Sequence, residues 1–125
     1  MAGRGYFYDL VAVLIESLVE EMKKKASVTV SNVSDFQDWR YVSHYAPIDD
    51  DDDAVSIPSC ETKKEPMTVN DLLNDLNDFL STNPDCGNYP IEINHNKYQL
   101  EVSTCNMPPG CKVVGLLVTK INWNE

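Results

Sequence analysis

Residues 67–80 read MTVNDLLNDLNDFL, and this stretch predicts an amphipathic helix around which the rest of the chain is organised. Its apolar residues recur at steps of three and four, which places them on one helical face. Thr68 is a favourable N-cap, and Asp71 at the third helical position completes a capping box. The opposite face carries Asp71, Asp75 and Asp78. We therefore predict a helix with a buried apolar face and an acidic solvent face.

A second helix is predicted upstream, over residues 6–25, where the sequence is YFYDLVAVLIESLVEEMKKK. Its apolar face is wide because Ile15 and Val19 extend it. The three lysines at 23–25 would close this helix, where positive charges interact favourably with the helix dipole. The width of the face leaves two interpretations open, either full burial or a homodimer that buries Val11, Ile15 and Val19.

Segments rich in β-branched and apolar residues predict six strands, three before the central helix and three after it. Pro58 has no N–H to donate and favours a sheet edge for the third strand. The fourth and fifth strands are predicted to form a hairpin, and DFQD at 35–38 is predicted to be a turn. The strands are SVTVSNV at 27–33, WRYVSHY at 39–45, AVSIPSC at 54–60, YPIEIN at 89–94, KYQLEVST at 97–104 and CKVVGLLVTKINW at 111–123.

The fold class that follows is α+β, with two helices packed on antiparallel sheets and a helix followed by three strands occurring twice. Within the last strand, VVGLLV at 113–118 is apolar on both faces and is predicted to lie at the centre of a sheet. The length of 125 residues suits one compact domain. The polar segment ETKKEP at 61–66 is the best internal boundary, and a division into 1–60 and 67–125 is the alternative.

The chain is strongly acidic, with a net charge of −10. Residues 49–66 alone carry seven acids and two bases, and they include five consecutive aspartates at 49–53. Such a balance argues against direct binding to nucleic acid, whose affinity for proteins comes mainly from lysine and arginine. Repulsion between neighbouring carboxylates predicts an extended, solvated loop for this run.

The apolar run at 10–15 is too short for an export signal or a membrane span. We therefore expect a cytoplasmic protein without a membrane partner, whose cysteines are reduced thiols. No nucleophile elbow, phosphate loop or kinase motif is present, so neither an enzyme nor a cofactor is predicted. His44 and His95 are predicted to be surface residues.

A metal site is not predicted, although one alternative stays open. Zinc could be held by Cys86, His95, Cys105 and Cys111, which all flank loops in one half of the chain, but free thiols are the more frequent outcome. Five consecutive aspartates do not match a calcium loop, which needs alternating ligands and a glycine. Successive side chains of an extended run also point to opposite sides.

The acidic residues are the candidate binding site because an extended row of carboxylates resembles a phosphate backbone. An extended chain places about one charge per 3.3 Å, against one per 3.4 Å along a DNA strand. Simple solubility is the alternative role for this charge. Trp39, Tyr41 and Tyr45 could anchor an interface but are better explained as core residues. The candidate partner-binding residues are Asp49, Asp50, Asp51, Asp52, Asp53, Asp71, Asp75 and Asp78.

The segment MTVNDLLNDLNDFLSTNPDCGNYPIEI, followed by KYQLEVS and VVGLLV, resembles small αβ proteins of bacteriophages and mobile elements. These often open with a capped TV-x-D-L helix, followed by a Pro/Asp turn and a β-meander. The likeness covers about the last half of the chain and carries no catalytic residue over. It implies a context in which small acidic phage proteins inhibit host defence, some of them as DNA mimics against restriction enzymes or CRISPR effectors.

The function expected from these observations is a non-enzymatic, phage-encoded inhibitor of the anti-CRISPR or anti-restriction type, acting in the host cytoplasm. Its partner would be a protein with a basic nucleic-acid-binding surface. Two alternatives remain, a small homodimeric interaction module and a metal-binding protein built on cysteine and histidine.

Overall fold

The computed structural model of the protein describes residues 10–33, 35–51, 54–61, 65–94, 102–106 and 112–118. Over these ranges the fold is α+β, as predicted. Five strands, rather than three, separate the two α-helices. The elements in chain order are α1 (Val11–Glu20), β1 (Ser27–Asn32), β2 (Asp35–Val42), β3 (Asp49–Asp51), β4 (Ala54–Ile57), β5 (Ser59–Cys60), α2 (Val69–Thr82), a 3₁₀ helix (Pro84–Asn88), β6 (Ile91–Ile93), β7 (Ser103–Asn106) and β8 (Val113–Val118).

The strands form two mixed sheets, in the orders β5-β2-β1-β8-β7 and β3-β4-β6. The pairs β1–β8 and β4–β6 are parallel, whereas purely antiparallel sheets were predicted. Each parallel pair joins a strand before α2 to a strand after it, so the chain crosses over by way of a helix before it pairs. Both sheets therefore contain strands from either side of the segment at 61–66.

Two strand predictions need correction. Residues 35–38 begin β2 and do not form a turn. The predicted edge strand 54–60 is divided at Pro58, so that β4 is central in the small sheet, whereas β5 lies at an edge of the five-stranded sheet over the described residues. Pro58 follows β4, and its carbonyl accepts a hydrogen bond from Ser43 N at 3.1 Å. The predicted hairpin between 89–94 and 97–104 lies mostly outside the described residues, because residues 95–101 are not included. The parts of it that the structure describes, β6 and β7, belong to different sheets.

The helix α2 matches its prediction closely. Thr68 Oγ1 accepts a hydrogen bond from Asp71 N, and Asp71 Oδ2 accepts one from Thr68 N, each at 3.1 Å. This reciprocal pair is the capping box expected from the sequence. Because the helix start is fixed, its apolar face, which includes Leu72 and Leu76, lies in the core.

The helix α1 ends at Glu20, five residues earlier than predicted, and residues 6–9 lie outside the described ranges. Glu21 Oε1 accepts hydrogen bonds from the backbone N–H groups of Met22 and Lys23 at 3.0 and 3.2 Å. A side chain that binds its neighbouring backbone in this way competes with further helical hydrogen bonds. The helix therefore stops before the lysines.

Lys24 still supplies the positive charge expected at the end of α1. Its Nζ donates hydrogen bonds to the carbonyls of Leu18 and Val19 at 2.5 and 2.7 Å. These are among the last carbonyls of the helix, which have no partner within the helix itself.

One continuous core joins both helices and both sheets. The strand β8 lies between β1 and β7, which confirms the central position predicted for VVGLLV. Its residues Val114, Leu116 and Val118 are buried. The core fixes β4 and α2, and these two elements position the acidic residues.

Candidate acidic interaction surface

The aspartate run is a strand over the residues that the structure describes, and not the predicted loop. Asp49, Asp50 and Asp51 pair antiparallel with β4, opposite Ser56, Val55 and Ala54 in that order. Charge repulsion favours an extended chain, and hydrogen bonding to the buried strand β4 holds that extended chain in place. Asp52 and Asp53 lie outside the described residues.

Strand alternation sends neighbouring aspartates to opposite faces of the small sheet. Asp49 shares one face with Ser56 and Glu92, because Asp49 is opposite Ser56 and Ser56 is opposite Glu92. The Glu92 side chain is 2% exposed, so this row carries a buried carboxyl group that the sequence did not single out. Asp50 lies on the other face, with Val55.

Asp50 lies near the 3₁₀ helix that follows α2. Burial raises the pKa of the Cys86 thiol, and the negative charges of Asp50 and Asp85 raise it further. The three groups are therefore close enough for electrostatic coupling. Asp50 of the aspartate strand and Asp85 of the 3₁₀ helix thus act on the same buried thiol.

Two members of the helix row line a cleft of about 290 Å³ beside the start of β3. Asp75 and Asp78 line this cleft together with Pro47, Ile48 and Phe79. Pro47 and Ile48 are the two residues that lead into β3. The carboxylates of Asp75 and Asp78 therefore border a depression with apolar walls, which we call the acidic cleft, and Asp49 and Asp50 follow its wall without lining it.

Asp71 has a different position from the other two members of the row. Its carboxylate is used by the capping box and also faces His44, whose Nε2 lies 3.7 Å from Asp71 Oδ2. The other ring nitrogen, Nδ1, lies 3.7 Å from Asp75 Oδ2. His44 thus lies between two carboxylates, a placement that the sequence could not reveal because it depends on backbone hydrogen bonds between the end of β2 and residues 65–67, which lead into α2.

The pKa of the Asp75 carboxyl group is raised above its ordinary value. Partial burial is the largest cause, attraction to His44 opposes it, and the negative charges of Asp71 and Asp78 add to it. The ionised form of Asp75 is therefore less favourable in the folded protein than in the unfolded chain.

Replacing Asp75 by Asn is expected to stabilise the protein at pH 7. Above both pKa values the carboxylate is charged in the folded and unfolded states, and its raised folded-state pKa means that this charge costs stability there. Because the side chain is partly exposed, we expect a gain of about 0.5 kcal/mol or less. The gain should disappear below about pH 3.9, where the unfolded-state carboxyl is protonated too. Urea unfolding between pH 3 and 8 measures it, and an equal gain at every pH would contradict this explanation.

The described residues contain no group of three or more His, Cys, Asp or Glu side chains arranged to hold a metal ion. At His44 the two aspartates face different ring nitrogens, so the three side chains do not converge on one point. The alternative zinc site stays untested, because His95 and Cys111 lie outside the described ranges. No helix in the described part of the chain is long and apolar enough to cross a membrane.

The aromatic residues near this surface are less buried than predicted. Trp39 is 39% exposed, and Tyr45 is exposed as well, so the core interpretation is wrong for both. Trp39 and Tyr41 form an edge-to-face pair with ring centroids 4.9 Å apart. Tyr45 donates a hydrogen bond to Asn94 Oδ1 at 3.0 Å, which ties the segment before β3 to the end of β6.

The helix face proposed for a homodimer is largely used within one chain. Val11 is fully buried in the core, and Ile15 packs against the core. Of the three residues only Val19 has a large exposed surface.

Comparison of the chain with protein-family models, with curated proteins and with solved structures finds no match. The acidic surface is therefore interpreted from its own residues.

Proposed function

We propose that this protein binds, through the acidic cleft and the aspartate strand, a protein whose surface is built to hold nucleic acid, and that it inhibits that protein by occupying the site. The observation that carries the proposal is the shared cleft. Asp75 and Asp78 on α2 border the same depression as the two residues that lead into β3.

Preorganised carboxylates favour binding over mere solubility. Hydrogen bonds to β4 hold Asp49–Asp51 extended, so every second residue recurs on one face at about 6.6 Å. The helix holds Asp71 and Asp78 about 10.5 Å apart along its axis. Side chains on fixed elements lose less entropy on binding than those of a flexible loop.

The composition of the acidic cleft suits recognition of a protein rather than of free cations. Pro47, Ile48 and Phe79 offer apolar contact beside the carboxylates of Asp75 and Asp78. Apolar contact next to charge is the arrangement of many protein interfaces, in which charges guide encounter and buried anchors supply affinity.

The functional class that we propose is a phage-type inhibitor of the anti-restriction or anti-CRISPR kind, a context implied by the resemblance of the C-terminal half to small αβ proteins of phages and mobile elements. Such a protein acts in the host cytoplasm by steric occupation and catalyses no reaction. Its association with a basic partner should be fast at low ionic strength and slower as salt screens the charges.

The test is capture of partners from host lysate at low and high salt, followed by identification and by affinity measurement with the purified partner. The variant Asp49→Asn/Asp50→Asn/Asp75→Asn/Asp78→Asn should lose at least about tenfold in affinity. Nucleic acid added to the complex should release the partner, since both occupy one site.

A matched control removes charge elsewhere. Glu16 and Glu20 are exposed acids on α1, and Glu16→Gln/Glu20→Gln should bind within about twofold of the unmodified protein. An equal loss in both variants would mean that overall charge, rather than this surface, drives binding. Full affinity in the four-residue variant would exclude the proposal.

A further inference from the structure

Among the residues that the structure describes, positive charge is concentrated in a second cleft, of about 520 Å³, which we call the basic cleft. It is lined by Met22, Lys23, Lys24, Lys25, Ala26 and Lys112. Of the lysines and arginines that the structure describes, only Arg40 lies elsewhere, and it pairs with Glu61 at 3.4 Å. In a chain of net charge −10, this concentration of lysines sets one part of the surface apart.

Met22 stands exposed at the basic cleft. Its side chain is 91% exposed, and Val19 nearby is exposed as well. The backbone here is held, because Glu21 accepts hydrogen bonds from the N–H groups of Met22 and Lys23. A methionine presented on an ordered turn is a flexible apolar anchor, which is a frequent component of interfaces.

The basic cleft and the acidic cleft are complementary. The first presents an apolar side chain beside lysines, and the second presents apolar walls, formed in part by Phe79, beside Asp75 and Asp78. We propose that the acidic cleft receives Met22 of a second copy of this chain, with that copy's Lys23 and Lys25 facing Asp75 and Asp78. Lys24 is already bound to carbonyls of α1 and is not needed for this contact.

Such a contact joins two different surfaces. Each copy carries one basic and one acidic cleft, so a two-fold dimer uses both contacts at once, whereas a head-to-tail arrangement builds rings or open chains. The contact also covers the acidic cleft, so self-association and binding of a foreign basic partner exclude each other. The inference rests on surface complementarity alone and does not depend on the proposed function.

Two forces oppose the contact and keep it weak. The net charge of −10 makes two copies repel, although salt at 0.15 M screens this beyond about 8 Å. Glu20 and Glu21 also lie beside Met22, on the side away from the basic cleft, where they line a smaller cleft. Association is thus expected at high protein concentration and moderate salt.

Sedimentation velocity over a series of concentrations up to about 1 mM at 0.15 M salt tests the inference. The unmodified protein should show concentration-dependent association, and Met22→Ser should weaken it at least about tenfold, as expected for loss of an anchor residue. Val33, another exposed apolar side chain, provides the matched control, and Val33→Ser should leave association unchanged. A protein that stays monomeric at every concentration, or equal association in both variants, would overturn the inference.

A charge exchange identifies the two surfaces. Lys23→Glu/Lys25→Glu and Asp75→Lys/Asp78→Lys should each fail to associate alone, because like charges then face each other. An equimolar mixture of the two should associate again, since each reversed surface meets a complementary one. Mixtures that remain monomeric, while circular dichroism shows both variants folded, would refute the pairing. Met22→Ser should keep its affinity for a partner captured from lysate, so a failure of self-association does not count against the proposed function. Likewise, a failure to capture a basic partner does not count against self-association.

Discussion

Leu116→Ala is expected to lower the free energy of unfolding by about 2–5 kcal/mol. Leu116 lies in the middle of β8, opposite Val30 of β1 and Thr104 of β7, and is 1% exposed. Truncation removes buried apolar contact and leaves a cavity between elements that hold one another in place. Because domains are stable by only about 5–15 kcal/mol, this change removes a large part of the total.

The neighbouring residue is the matched control. Leu117 points to the other face of the same strand and is only partly buried, so Leu117→Ala should cost less than half as much. Urea unfolding followed by circular dichroism gives both values. Equal losses would contradict the assignment of the inward face of β8.

The parts of the fold that could be predicted are those that depend on residues close together in the sequence. The capping box at Thr68 and Asp71 depends on residues three apart, and the apolar run VVGLLV indicates burial on both faces. Neither pattern names a pairing partner. The strand β8 pairs in parallel with β1, near the other end of the described chain, and no local periodicity carries that information.

The strand predictions failed where tertiary pairing decided the outcome. Residues 35–38 have the composition of a turn, yet Asp35 pairs with Asn32 of β1 where the register between β1 and β2 shifts. Strand propensity depends on neighbouring strands more than on the residue itself. Pro58 suggested an edge because it has no backbone N–H to donate to a neighbouring strand. It lies between β4 and β5, outside both strands, where no such hydrogen bond is required of it.

The acidic surface was predictable in composition and not in geometry. Helical periodicity placed Asp75 and Asp78 on one solvent face, and they do line one cleft. The placement of His44 between Asp71 and Asp75 depends on the long-range backbone pairing of residues 42–44 with residues 65–67. The contribution of Pro47 to the cleft is likewise a contact between segments distant in sequence. Repulsion in the aspartate run predicted extension correctly, but it could not distinguish a solvated loop from a paired strand.

Replacing Asp49, Asp50 and Asp51 by Thr, Val and Thr is expected to make the protein aggregate. Within the described residues β3 pairs only with β4, so it forms an edge of its sheet. Edge strands expose hydrogen-bonding groups that recruit other chains, and charged side chains prevent this. The variant strand combines high β propensity with no charge, which favours intermolecular pairing.

The measurement is the soluble fraction and thioflavin T fluorescence after incubation at about 100 µM, a concentration at which exposed edges associate readily. Most of the triple variant should leave solution. The control Asp75→Asn/Asp78→Asn/Asp85→Asn removes the same three charges away from the edge and should stay soluble. If both variants aggregate alike, then net charge, and not the edge position, keeps the protein in solution.

A third variant separates edge protection from recognition. Asp49→Asn/Asp50→Asn/Asp51→Asn removes the carboxylates but keeps residues of low β propensity, so the edge should remain a poor template for pairing. One charged residue or a proline is often enough to protect an edge, whereas here every residue of the strand is an aspartate. The proposed recognition of a basic surface explains why the strand carries more charge than edge protection requires. The Asn variant should therefore remain soluble and lose affinity for the captured partner, and a soluble variant with full affinity would leave edge protection as the sole role of the aspartate strand.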